Sequence, residues 1–452
     1  MKNFVTLSSF IVSFVLLLGT NDPKYSYLFL LPLFYGILYG VNSFLKDNYN
    51  KYISLSILLI TSYLRYVVTP LFMFLGDFES SASVYSDALF HKAISLQAYE
   101  EVVFLLVLLF AAPKIYYKVP QITRLKVQQK EKSNSFVLIV VAIAVALILI
   151  YPELISRYHF VPSLSGAETD DIADSSLSGS FSLIVRAAKL LIVLLALIVM
   201  YRRYEKTRNS KWIYLSIVII GIDSLFVNDL SRFGIIVPAA TFVYLIAQLY
   251  PNKKKSIVFW SLFLIGLVVV YTTIIKMFSD ARGGGDDGQD YSYWGAVLQM
   301  YFQGISDTVI GLAASEKMIL SPLVSFINDA ISNVAILSHY SVESLRSLYI
   351  YNVEYSGGVS FDKILPNVCA GYNYFGFIGA PLIVSVISIL GMRMDVKSVS
   401  AYNVYDKFLY IYGAITCSVP HMVFYTMTIS NMVNTFFVLY IILYINKIVI
   451  RK

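Results

Sequence analysis

Apolar runs long enough to cross a bilayer recur along most of this chain, and no other feature limits its possible folds so severely. A helix rising about 1.5 Å per residue needs about 20 residues to cross roughly 30 Å of hydrocarbon. Runs of about that length lie near 3–20, 25–43, 52–75, 95–113, 135–152, 181–201, 212–227, 233–250, 256–277, 372–390, 408–425 and 429–446. They predict an all-α integral membrane protein of about 12 transmembrane helices. Hydrophobic residues make up 58% of the chain and charged residues 14%, against roughly 25% charged in a soluble domain, so lipid must solvate it. The first run follows only Lys2 and is succeeded by Gly19-Thr20-Asn21-Asp22 without a small-residue cleavage site, so it reads as a retained span.

The net charge of +7 is spread in a way that excludes nucleic acid as the partner. Basic residues gather in short loops on one side of the runs, at Lys114 to Lys132, at Arg202-Arg203 with Lys206, Arg208 and Lys211, and at Lys253-Lys254-Lys255. This bias puts both termini in the cytoplasm. The opposite segments are acidic, with Glu168, Asp170, Asp171 and Asp174, and with Asp280, Asp286, Asp287 and Asp290. The expected organisation is one integrated membrane domain in three stretches: a bundle of nine spans over 1–277, a large outer loop over 278–371 between spans nine and ten, and three more spans over 372–452. A loop of that length exceeds what crossing back requires and points to function. Residues 292–315 and 321–338 read as amphipathic helices carrying Asp307 and Asp329, and Ser321-Pro322 is a good helix start. Cys369 and Cys417 lie far apart and read as packing residues.

No phosphate-binding loop, dinucleotide fingerprint, zinc-protease motif or nucleophile elbow occurs, so nothing supports ATP hydrolysis, a metal or another cofactor. The informative residues are charged groups near the outer face. Arg232 stands in Val227-Asn228-Asp229-Leu230-Ser231-Arg232-Phe233-Gly234, a tight turn that begins the next helix. It either snorkels to headgroups or grips a phosphate bidentately at a helix N-terminus. Arg282 precedes Gly283-Gly284-Gly285, where the backbone is free to approach a ligand, or it is simply solvated. Arg346 lies deeper in the loop. Candidate acids and bases there are Asp307, Asp329, His339, Glu343, Glu354 and Asp362. Glu354 sits in Tyr351-Asn352-Val353-Glu354-Tyr355-Ser356-Gly357-Gly358, among the aromatic and glycine residues that line carbohydrate sites. Arg65, Arg186, Lys189, Asp223 and Lys276 lie within spans, where a charge costs about 2.5 to 3.5 kcal/mol at mid-bilayer and calls for an interior partner or a polar cavity.

Four segments, taken with this layout, resemble the Wzy-type polysaccharide repeat-unit polymerases of bacteria, which build O-antigen, capsule and related glycans. They are Leu64-Arg65-Tyr66-Val67-Val68-Thr69-Pro70-Leu71, the Ser231-Arg232 turn, Tyr301-Phe302-Gln303-Gly304 with Asp307, and Gly371-Tyr372-Asn373-Tyr374-Phe375-Gly376. The resemblance implies a GT-C-like, metal-independent glycosyltransferase of the bacterial cytoplasmic membrane. Its substrates would be undecaprenyl-diphosphate-linked oligosaccharides, with a flippase and a chain-length regulator as partners. Arg232, Arg282 and Arg346 would then bind the diphosphate, and Glu354, His339 or Asp307 would serve the acceptor. The diphosphate leaving group stores the bond energy, so no ATP motif is required. An O-antigen ligase-like transferase and a lipid-linked oligosaccharide flippase are the alternatives.

Overall fold

A computed structural model describes residues 2–78, 82–117, 135–156, 158–160, 176–228, 232–261, 263–264, 266, 291–357 and 363–451. Its longer helices are α1 (Lys2–Gly19), α2 (Leu30–Val41), α3 (Ile53–Leu75), α4 (Asp87–Tyr116), α5 (Ser135–Ile150), α6 (Ser176–Thr207), α7 (Lys211–Leu225) and α8 (Arg232–Leu249). They continue as α9 (Tyr291–Phe302), α10 (Ile305–Ser315), α11 (Pro322–Ser332), α12 (Ser347–Ser356), α13 (Asn367–Gly379), α14 (Leu382–Ser400), α15 (Val404–Thr416) and α16 (Tyr425–Val449). One antiparallel ribbon, β1 (Tyr158–Phe160) with β2 (Phe226–Asn228), pairs His159 with Val227. Four helices, α3, α4, α16 and the Phe181–Thr207 part of α6, are long and apolar enough to cross a membrane. Two bent pairs raise this to six among the described residues: α13 with α14 at 102°, and Phe233–Leu249 with Pro251–Ser261 at 112°.

The chain divides into two compact units. One comprises Met1–Val119, Asp287–Val396 and Thr416–Ser430; the other comprises Pro120–Asp286, Lys397–Ile415 and Asn431–Lys452. In the first, α1 packs on α2, α2 on α4, and α9 on the end of α3. Helices from the segment expected as an outer loop supply part of the core of this unit. Helix α10 packs on α4, α12 and α13, and it is buried nearly all round rather than amphipathic. Its small residues Ser306, Thr308, Gly311 and Ala314 permit this close approach on every side.

Three expected helices are broken. The run at 292–315 divides at Gln303, which holds a left-handed backbone (φ 53°) before Gly304. The run at 372–390 straddles the bend between α13 and α14. There Gly376 adopts φ 70°, and a Cβ at Gly371 would stand 2.1 Å from the Ala380 carbonyl oxygen, so only glycine fits. The run at 408–425 ends as α15 at Thr416, and 417–424 leaves the helix around Pro420, which has no N–H to give. The Ser321-Pro322 start is present as expected, and α8 begins at Arg232.

Candidate functional site

In α3 the turn Leu64–Val68 is a π-helix. Pro70 would press its ring on the carbonyl of Tyr66 in a regular α-helix, and widening the preceding turn relieves that clash. The Thr69 amide and hydroxyl both bond the Leu64 carbonyl, the hydroxyl at 2.8 Å. This insertion presents Arg65 to the interior of the first unit, where it is wholly buried. Its Nη2 pairs with Glu100 Oε2 of α4 at 2.8 Å, with both side chains fully enclosed. Its Nη1 donates to Gln303 Oε1 at 3.3 Å and to His421 Nδ1 at 3.1 Å. A guanidinium only donates, so Nδ1 is the acceptor and the ring proton of His421 sits on Nε2.

The surrounding bonds fix these partners. The Tyr66 hydroxyl donates to Glu100 at 3.0 Å, and the His421 ring meets Tyr66 and Phe104 edge-on. Gln97 Nε2 donates to the Gln303 carbonyl at 2.9 Å and to the Thr308 hydroxyl at 2.6 Å. Gln303 and Asn367 together hold the unwound segment: Gln303 Nε2 reaches the Val423 carbonyl, and Asn367 Nδ2 reaches those of Pro420 and Val423. The left-handed backbone of Gln303 is therefore held by four bonds to its side chain and carbonyl. Beside this centre, Glu101 is fully buried, and among the described residues neither its carboxyl oxygens nor His421 Nε2 has a hydrogen-bond partner.

The expected acids and cations fall in different surroundings. Asp307 is buried on α10 with Tyr351 beside it. Glu354 is half-buried on α12, where it accepts from the Tyr85 hydroxyl at 2.7 Å and pairs with Lys317. Burial alone would raise its pKa, but the bonds from Lys317 and Tyr85 outweigh that and hold it below the usual carboxylate range. His339 is exposed, its ring 3.9 Å from that of Tyr340. Arg346 precedes α12 and donates from Nε to Ser341. The side chain of Arg232, all of Arg282, Asp362 and Lys276, the basic stretch from 118 to Lys132 and the acidic stretches Glu168–Asp174 and Asp280–Asp290 lie outside the described residues.

Of the interior charges expected to need partners, Arg65, Arg186, Lys189 and Asp223 have them. Lys189 pairs with Asp223 at 3.1 Å, and Arg186 donates to Asn431 at 2.6 Å. Glu100, Glu101 and His421 were not anticipated, although they lie inside the runs at 95–113 and 408–425 and the cost of intramembrane charge applies to the two glutamates as it does to Arg65. Gln97 and Asn367 carry no comparable signal. Among the described residues, no group of three or more His, Cys, Asp or Glu is placed to hold a metal ion.

Several long apolar helices together with a sealed polar centre are features of a multi-pass helical membrane protein. No protein-family model, curated protein or solved structure matches the chain.

Proposed function

We propose that the chain is a membrane polymerase that transfers a growing glycan from undecaprenyl diphosphate to the terminal sugar of another lipid-linked repeat unit. One observation carries this reading: three of the four segments singled out for their resemblance to such polymerases, although far apart in sequence, belong to one compact unit and are bonded there, whereas the Ser231-Arg232 turn belongs to the other. Arg65 bonds Gln303, Gln303 bonds Asn367 at the head of the helix bearing Gly371–Gly376, and Asp307 lies two residues into α10. On this reading the chain makes about 12 passes of the bacterial cytoplasmic membrane in a GT-C-like arrangement, with both termini inside.

In the proposed reaction an acceptor hydroxyl oxygen bonds to the anomeric carbon of the growing glycan as the carbon–oxygen bond to the diphosphate breaks. The leaving diphosphate keeps the electron pair. Arg232, Arg282 and Arg346 neutralise its charge, and guanidinium groups suit a phosphate because their forked donors bind it bidentately. The hydroxyl proton passes to a carboxylate. Glu354 is favoured by position over Asp307 and His339, being partly accessible and oriented by Tyr85, although its bonds to Lys317 and Tyr85 weaken it as a base until Lys317 moves away.

A lipid-linked oligosaccharide flippase is the second reading, favoured by the buried charges of Arg65, Glu100 and Glu101. Deleting the gene and examining the glycans separates the possibilities. Loss of a polymerase leaves single repeat units outside, loss of a ligase leaves polymer on the carrier lipid, and loss of a flippase leaves neither outside. Full-length glycan in the deletion strain would defeat all three.

A further inference from the structure

Helix α11 is built inside out. Ser325, Asn328, Asp329 and Ser332, at the i, i+3, i+4, i+7 spacing of one face, point into the first unit and are buried. Their polar groups are occupied there. Asn328 exchanges bonds with the amide and carbonyl of Val342, Asp329 accepts from the Ser347 amide at 2.9 Å and from the Tyr374 hydroxyl, and Ser325 meets Ser347. The outward face is apolar: Leu323 is 66% exposed and Ile327 49%, with Val324 between them. Ile319, Ile336, Tyr340 and Val342 extend it beyond the helix ends.

In water this polarity is reversed from that of a surface helix, whose apolar side turns to the core. In lipid it is the expected one, because there the apolar side needs no cover and the polar side must be satisfied within the protein. The apolar face is also continuous with a second one. Phe326 packs 5.7 Å from Phe375, and Phe375, Ile378 and Leu382 form the exposed side of the bent α13–α14 pair that is apolar enough to cross a membrane. At 11 residues α11 covers about 16 Å, well short of the roughly 30 Å hydrocarbon core. Exposed charges stand near its two ends, Glu316 and Lys317 before it and Glu343 after it.

We propose that α11 is a non-spanning helix set into one leaflet, its Leu323–Ile327 face against acyl chains and its flanking charges at the headgroups. This rests on the membrane location of the chain and not on the polymerase reading, so it can fail or stand without it. The partner surface is hydrocarbon, as for amphipathic helices that lie in the membrane interface, but the polar side here is bonded to protein instead of facing water.

The test attaches a nitroxide to Leu323→Cys, Ile327→Cys, Ile319→Cys and Tyr340→Cys in the full chain. The protein is reconstituted in vesicles of phosphatidylethanolamine and phosphatidylglycerol, with Glu316→Cys as the charged-end control. Both native cysteines are buried, so the unsubstituted chain reports background labelling. Labels at 323 and 327 are expected to collide severalfold more with dissolved oxygen than with a water-soluble nickel chelate, relative to the control. Equal access to the chelate at 323, 327 and 316 overturns the proposal. Exclusion of both agents, with dipolar broadening between labels at 323, also overturns it and assigns the face to a second copy of the chain. The replaced residues are outward-facing, and four independent sites keep the outcome readable if one variant folds poorly.

Discussion

Two ion pairs inside predicted spans, one in each compact unit, handle the same difficulty in different ways. Lys189 and Asp223 join neighbouring helices α6 and α7, and Lys189 keeps 28% of its side chain exposed. The lysine also bonds the carbonyls of Asp223 and Phe226, where α7 ends and free acceptors are plentiful. Arg65 and Glu100 are completely enclosed, and the guanidinium draws further acceptors from Gln303 and His421, which lie hundreds of residues away. The first pair is a local settlement at a helix end. The second is a junction on which separate parts of the unit depend, and only a fork of fixed donors serves acceptors in three directions.

Removing each cation in turn tests whether the two pairs carry different structural weight. Arg65→Ala leaves Glu100 buried without its counter-charge, and such losses destabilise by about 3 to 5 kcal/mol. The expected result is a large fall in yield and in thermal midpoint in detergent, partly recovered by adding Glu100→Gln. A variant as stable as the unsubstituted chain would show that the junction has no structural weight.

The next effect concerns turnover. Arg232→Ala and Arg282→Ala are each expected to slow polymer formation by about one to two orders of magnitude, as loss of a charge-assisted bond of about 1.5 to 3 kcal/mol implies. Lysine at either position should restore activity only in part, and Arg346→Ala should be milder. Polymer length in a deletion strain, read beside membrane abundance, checks this. Full-length polymer from both alanine variants at normal abundance refutes the clamp.

Smaller still is Lys189→Met: Asp223 is buried but Lys189 keeps 28% of its side chain exposed, so the cost should lie between about 1 kcal/mol, as for a surface pair, and about 3 kcal/mol or more, as for an enclosed one. Its thermal midpoint should drop by a few degrees at most, and a fall as large as that of Arg65→Ala would erase the distinction drawn between the pairs. Smallest is the pH dependence of Glu354. Its bonds hold the folded-state pKa below the unfolded value, so their stability is present above the ordinary carboxylate range and is lost as pH falls through the folded value. With Lys317 largely exposed, Glu354→Gln should lower the midpoint only slightly at pH 7, and the difference should vanish once the pH has fallen below the folded-state value. A deficit that persists in acid would rule out the ion pair as its source.

The sequence made visible whatever depends on local pattern. Apolar length marks α1, α3 and α4, Ser321-Pro322 marks the start of α11, and the Arg232 turn marks the start of α8. What it did not reveal depends on distant partners. The break at Gln303 puts a non-glycine residue in a left-handed conformation that only contacts with Arg65, Gln97, Asn367 and Val423 sustain. The unwound stretch at 417–424 contains Pro420, a visible cue, but what keeps it open is the amide of Asn367. Arg65 was legible as a costly interior charge, whereas its partners became identifiable only once α4, the Gln303 turn and His421 were in place.

The spacing of those partners also sets a timetable. Glu100 follows Arg65 closely along the chain and is available soon after it emerges from the ribosome, whereas His421 is 356 residues away. At roughly 5 to 20 residues per second, that interval lasts about 20 to 70 s. Throughout it the guanidinium has Glu100 to hold but neither His421 nor the Pro420 and Val423 carbonyls to complete its surroundings. The nascent protein therefore carries a half-made centre through most of its synthesis, and a chain truncated before residue 417 can never close it.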